Sequence, residues 1–217
     1  MRGRKMKGQF ITFEGTEGSG KTTIIDNIEK ELIAKGYKVL RTREPGGSKI
    51  SEQIRNIILN VENTEMDKIT EALLYAASRR QHVNEVIKPH LENGYIILCD
   101  RYLDSSLAYQ GYARGIGIQK IYDLNQYATD GLQPDITFYI DVKPIIGMNR
   151  IAKNNRHQDR LDLEQMSFHE LVYKGYQEVI KLFPERIKII SGVGEIKEVS
   201  DRVRLELNSF LEKNHVS

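Results

Sequence analysis

The chain has no tryptophan, five prolines and one cysteine among 217 residues. With Cys99 alone no internal disulfide can form, and the chain suits a reducing compartment, so a cytoplasmic location is expected. No apolar run approaches the roughly 18 residues that cross a bilayer, so no membrane partner is expected. An excess of one charge is missing too. The 32 Lys and Arg nearly balance the 30 Asp and Glu, which removes any demand for a nucleic-acid partner. Metal-ligand spacing is absent around His82, His90, His157 and His215. His169-Glu170 opens an H-E-x-x-H pattern, but Tyr173 stands where the second His belongs. The opening MRGRKMK is basic without the apolar stretch of a signal peptide. Residues 1–8 are expected to be a frayed tail.

What is present is an alternation of apolar β-branched runs with helical patterns. Gln9–Glu14, Lys38–Thr42, Tyr95–Cys99, Ile136–Ile140 and Ile187–Ile190 read as strands. Their near-continuous apolarity suits a parallel sheet of about five strands covered on both faces by helices. Helices are expected from Lys21 to Lys35, around Ile50, Ile54, Ile57 and Ile58, after a cap at Asp67, and from Ile118 to Thr129. Others should cover about 145–155, 167–183 and 196–211. The fold class is α/β, in one domain spanning 1–217, and ligands should gather beyond the carboxyl ends of the strands.

Gly15-Thr16-Glu17-Gly18-Ser19-Gly20-Lys21-Thr22 follows the first strand and opens a helix, with Thr23 next. The spacing G-x-x-x-x-G-K-[ST] in that context defines a P-loop. Glycines let backbone N–H groups turn inward as an anion cradle, and the helix N-terminus adds its free donors. Lys21 is then placed to reach the β- and γ-phosphates, and the Thr22 hydroxyl to meet Mg²⁺. Asp100, at the end of the third strand, can hold the same ion directly or through water. The guanine-reading N-K-x-D of GTPases is absent, which points to ATP as donor.

Four further segments bear on the acceptor. In Arg43-Glu44-Pro45-Gly46-Gly47 the proline restrains Glu44 and the glycines keep the backbone open to a ligand. Arg55 follows on the next helix; taken alone, such an arginine is more often a solvated helix charge. Tyr75 and Arg79 stand at i and i+4, so one helix face offers a ring and a guanidinium to a planar base. The competing reading is a tyrosine at the core edge beside a solvated arginine. Arg101 suits bidentate binding of a phosphate, and Ser105, Ser106, Tyr109 and Gln110 offer polar groups to a base or sugar. Lastly, residues 150–162, RIAKNNRHQDRLD, are rich in cations. Beside a P-loop they read as a short mobile lid whose arginines neutralise the transferring group.

The segments FEGTEGSGKTT, TREPGG, LLYAASRRQHV, DRYLDSSLAYQGYARG and DRLD together resemble the bacterial thymidylate kinases, from Phe10 to about Leu182. That resemblance implies a P-loop NTPase fold, a homodimer formed through helices flanking the sheet, and phosphorylation of dTMP by Mg²⁺-ATP. It also implies roles for single residues. Arg101 would bind the acceptor phosphate. Tyr75 would stack on thymine where the family usually has Phe, Arg79 and Ser106 would meet the base edge, and Gln110 would lie nearby. Glu44 would lie near the sugar 3′-hydroxyl, Tyr109 would crowd the 2′ side, and Arg55 would assist the phosphate or base. Because the P-loop carries Glu17 where some relatives carry Arg, the catalytic arginine would come from the lid, as Arg150 or Arg156. Asp162 replaces the Glu that commonly ends the lid motif. Two other readings remain: a deoxynucleoside kinase using Glu44 as base, and an ATP-binding switch without turnover.

Overall fold

The computed structural model describes residues 8–153 and 159–215. Five strands, β1 (Gln9–Glu14), β2 (Val39–Arg43), β3 (Ile96–Asp100), β4 (Ile136–Asp141) and β5 (Ile187–Ser191), form one parallel sheet in the order β2-β3-β1-β4-β5. Each expected strand is found with its ends moved by at most one residue. Gly8, expected in the tail, is instead buried: its N–H donates to Leu91 O, 3.0 Å away.

The alternation of side chains along β1 divides the core. Ile11 and Phe13 join Ile24, Ile25, Ile28 and Leu32 of α1 (Lys21–Ala34) and Val199, Val203 and Leu207 of α9 (Ile196–His215) on one face. Phe10 joins Tyr102, Leu107, Val172 and Tyr176 on the other. Full burial of an aliphatic or aromatic side chain contributes about 1.5–3 kcal/mol, so these two layers hold the sheet rigid between them. The remaining helices are α2 (Lys49–Leu59), α3 (Lys68–His82), α4 (Lys88–Glu92), α5 (Leu103–Ser106), α6 (Ile118–Thr129), α7 (Pro144–Lys153) and α8 (Met166–Leu182). Asp67 caps α3 as expected, its Oδ1 accepting from Ile69 N at 2.9 Å and Thr70 N at 3.1 Å.

Two wide, π-helical turns were not foreseen. One, Val83–Ile87, links α3 to α4, where Pro89 lacks the N–H that would close a regular turn onto Glu85. The other, Leu107–Ala113, continues α5 and carries Tyr109 and Gln110 to the cleft. α8 lies against this turn because Gly175 has no side chain: a Cβ there would stand 2.8 Å from Ala108 O.

Strand register brings the functional loops to one level. Phe13 and Arg43 both pair with Asp100, so the loops after β1, β2 and β3 leave the sheet side by side. The chain runs to opposite sides of β1 to build β3 and β4, which opens a crevice at that point.

Candidate active site

That crevice holds a cleft of about 790 Å³ lined by both halves of the expected site. On the donor side, Gly15, Gly18 and Gly20 adopt φ of 145°, 68° and 90° to shape the loop. Gly18 is doubly constrained, because an added Cβ would stand 2.1 Å from Gly147 O on α7. Thr16 ties the loop to the end of β4, its hydroxyl donating to Val142 O at 3.0 Å. Lys21 folds back over the loop and donates to Gly15 O (3.0 Å), Thr16 O (3.0 Å) and Ser19 Oγ (3.1 Å). Burial, then the nearby Arg101 charge, pushes its ammonium down to about 8. Both effects favour a neighbouring anion as partner.

Thr22 Oγ1 donates to Asp100 Oδ2 across 3.3 Å. One hydroxyl beside one carboxylate fits Mg²⁺, which keeps several waters and takes its other ligands from phosphates. Among the described residues no cluster of three His, Cys, Asp or Glu could cage a metal by itself. Thr23 lines the cleft beside them.

On the acceptor side Arg101 is the hinge between the halves. It has φ +68°, rare for a residue with a side chain, directly after β3. NH1 donates to Gly15 O (2.9 Å), Tyr176 OH (3.0 Å) and Ser105 Oγ (3.2 Å), and NH2 to Glu17 Oε1 (2.7 Å). Its guanidinium lies 5.2 Å from the centre of the Tyr109 ring, and the Tyr109 hydroxyl also donates to Glu17. Burial opposes the Arg101 charge, but Glu17 and the tyrosines hold its pKa well above the usual value. Asp100 serves Thr22 and is not among these hydrogen-bond partners.

Arg79 is not the solvated arginine of the competing reading: it is 2% exposed. Nε donates to Glu44 Oε2 at 2.6 Å, NH1 to Ser106 Oγ at 3.0 Å and to Asn125 Oδ1, and NH2 to Tyr102 O at 3.0 Å. Glu44 gives its other oxygen to His82 Nδ1 at 2.9 Å. Burial alone would raise the Glu44 carboxyl, but Arg79 and His82 outweigh it and hold it below the usual range. Arg55 donates to Pro45 O (2.8 Å), on the cleft wall formed by the loop after β2. Burial, then Arg43, lowers its pKa. Tyr75 lines the same wall.

Gln110 lines the cleft with its amide nitrogen donating to Glu71 Oε1 at 2.9 Å. Glu71, 1% exposed, also receives Arg114 and Arg160. Arg160 belongs to the DRLD segment and donates through Nε to Ile58 O, so this end of the segment is pinned to α2 and α3. Asp162 closes the local turn, its Oδ2 accepting from Asp159 N at 3.0 Å. Arg150 reaches into the cleft near Gly18 O and Gly192 O. Arg156 lies outside the described residues.

Several site residues escaped the sequence reading. Glu71, Asn125 and Tyr176 are buried and bond the arginines directly, while the buried Glu14 and His82 bond the groups that partner them. Glu71 stood four residues before Tyr75 on the same helix face, and an acid at the end of an apolar strand marked Glu14. Tyr176 carried no such signal. Gly192, Gly194, Ile196 and Val199, after β5, complete the cleft wall near Arg150.

A parallel sheet with a P-loop after its central strand, facing arginines from other segments, is the architecture of a P-loop NTPase. Within that class, the chain belongs to the thymidylate kinase family, whose model matches residues 13–203. A thymidylate kinase of Oceanobacillus iheyensis is 55% identical over 207 residues, covering 95% of this chain and 92% of the relative. That of Bacillus licheniformis is 52% identical over 212 residues, 97% of this chain and all of the relative. A crystal structure of thymidylate kinase from Ehrlichia chaffeensis superposes with a TM-score of 0.75 at 35% identity, over 92% of this chain and 98% of that one.

Proposed function

We propose that the chain transfers the γ-phosphoryl group of Mg²⁺-ATP to the phosphate of dTMP, giving ADP and dTDP. The observation that carries this reading is the position of Arg101, partly buried between the P-loop and the acceptor wall. A cation there meets an acceptor that is itself an anion. An oxygen of the dTMP phosphate attacks the γ-phosphorus, and the bond from that phosphorus to the β,γ-bridging oxygen breaks. The second pKa of a phosphate monoester is near 6, so at neutral pH the attacking oxygen is already deprotonated and needs no base.

Catalysis is then positioning and charge stabilisation. Lys21 leaves its three loop oxygens for the β- and γ-phosphates, and the P-loop N–H groups hold the donor. Thr22 and Asp100 would hold Mg²⁺, which would supply neutralisation of the phosphate charge. Arg150 adds positive charge from the cleft wall, and Arg156 is the other lid arginine assigned this role. Tyr75 offers its ring to the base. Arg79 and Gln110, on the cleft wall, meet the base edge, with Ser106 bonded behind Arg79. Glu44 and Tyr109 border the sugar. Arg55 stands at the rim of the acceptor wall. Gly192, Gly194 and Ile196 border the space left for the adenine.

The geometry disfavours the nucleoside-kinase reading. A base for a neutral hydroxyl needs a high proton affinity. Glu44 spends both oxygens on Arg79 and His82, and its pKa is depressed. A homodimer in the cytoplasm completes the proposal. Ile57 on α2 and Leu73 on α3 expose about half their area, apolar surface that a second copy would cover. Among the described residues no helix is long and apolar enough to cross a membrane.

The test is ADP release from Mg²⁺-ATP with dTMP, thymidine, dCMP and dAMP as parallel acceptors. Fast turnover with dTMP and little with the other three is expected. Turnover with thymidine while dTMP stays idle overturns the proposal in favour of a nucleoside kinase, and ATP binding with no acceptor-dependent turnover makes the chain a switch.

A further inference from the structure

The strand QFITFE ends an apolar run on a carboxylate, and Glu14 is 1% exposed. A buried carboxylate must be fully hydrogen-bonded to be tolerated. Glu14 Oε1 accepts from Tyr102 N at 2.8 Å and Ser105 N at 3.3 Å. Its Oε2 accepts from the Ser105 hydroxyl at 2.6 Å and the Tyr176 hydroxyl at 2.8 Å. Those two hydroxyl oxygens are also acceptors for NH1 of Arg101.

A hydroxyl has one hydrogen and two lone pairs. The two hydroxyls also stand 2.9 Å apart, but the carboxylate is the stronger acceptor; with both hydrogens directed at Glu14, the lone pairs of Ser105 and Tyr176 are what Arg101 meets. We infer that Glu14 is a positioning residue for acceptor binding: it fixes the sense of the Ser105 and Tyr176 hydroxyls so that both accept from Arg101, which holds the guanidinium ready for the acceptor phosphate. This inference rests on the proposed phosphorylation of dTMP and deepens it.

The surroundings act both ways. Burial and Asp104 raise the Glu14 pKa to about 7, while Arg101 and the hydrogen bonds from Ser105 and Tyr102 N act the other way. Asp104 itself is engaged at 2.7 Å by Arg186, so it does not compete for the two hydroxyls. The carboxylate and the guanidinium therefore stabilise each other through two intervening hydroxyls, with no direct ion pair between them.

Glu14→Gln tests this polarity with almost no change in shape. Tyr102 N–H demands an acceptor, so the new carbonyl takes the place of Oε1. The amide NH₂ then faces Ser105 and Tyr176, turns their hydrogens toward Arg101 and sets donor against donor. KM for dTMP should rise by about tenfold or more while KM for ATP stays within about twofold, a split that general loosening of the fold would not produce. In the Ser105→Ala, Tyr176→Phe background, Glu14→Gln should add nothing further to KM for dTMP, because the groups through which it acts are gone. Tyr176→Phe alone keeps the ring and removes one hydroxyl, so it reads the same split should Glu14→Gln fail to fold. Unchanged KM for dTMP in these variants, an equal rise in both KM values, or an undiminished Glu14→Gln effect in the hydroxyl-free background overturns the inference while the wild type still phosphorylates dTMP. A wild type without dTMP turnover overturns the functional reading, and this inference with it.

Discussion

The two walls of the cleft are built in different ways. The donor wall is mostly backbone: one loop of eight residues, three glycines at positive φ, and a lysine that reaches only its own loop. The acceptor wall is mostly side chains, drawn from β1, the loop after β2, α3, α5, α6 and α8 and joined by buried ion pairs. A cradle for a polyphosphate that any nucleotide carries can be local, because backbone N–H groups suffice. A pocket that must tell one monophosphate from another needs charges at fixed places. Those charges stay ionised in a buried site only if other buried groups satisfy them.

The sharpest way to break the comparison is to remove one cation from each wall. Lys21→Ala is expected to lower kcat by about 10³-fold or more, because charge stabilisation of the transferring group is the largest catalytic effect available here. Arg101→Ala should lower kcat/KM by a similar factor, but with a rise in KM for dTMP that Lys21→Ala lacks. Steady-state kinetics varying each substrate in turn separates the two. Equal rises in both KM values for both variants would mean that the walls do not divide the substrates between them.

A smaller effect should separate the walls by stability. Arg79 and Glu44 are each 2% exposed at the side chain and 2.6 Å apart, so removing the arginine strands a buried carboxylate. Arg79→Met is expected to cost about 3–5 kcal/mol in denaturant unfolding, as breaking a buried pair does. By contrast Arg43–Glu52, with side chains 52% and 38% exposed, should cost under about 1 kcal/mol when Arg43→Met removes it. If the two variants unfold alike, the acceptor wall is not the charge-stabilised structure described above.

The same contrast explains what was legible in the sequence. The five strands were readable because continuous apolar runs need no partner to be recognised. The P-loop was readable because its physics lies within eight consecutive residues. Arg101, Arg79 and Glu44 were readable as residue types, through the segments that resemble the family. Their partners were not. Tyr176 meets Glu14 from 162 positions away, and no local pattern announces such a contact. Arg79 by itself looked as much like a solvated helix charge as a ligand, and only the convergence of Glu44, Ser106 and Asn125 settles its burial. The wide turn at Leu107–Ala113 was hidden for a related reason: α8 closing on it through Gly175 is a tertiary event.

The finest probe of the acceptor wall is Tyr75. Its ring faces the cleft, and among the described residues its hydroxyl has no hydrogen-bond partner. Burial, then the Glu71 carboxylate, pushes the phenol pKa upward, so the group stays neutral throughout the working pH range. If the ring serves only as a stacking surface, Tyr75→Phe removes nothing the base uses, and kcat/KM for dTMP should change by less than about twofold. Tyr75→Ala removes the surface itself and should raise KM for dTMP by about tenfold, the equivalent of roughly 1.4 kcal/mol of lost contact. A large loss in Tyr75→Phe would mean that the hydroxyl bonds the substrate directly. The acceptor wall would then read its ligand with one more polar group than the described contacts assign.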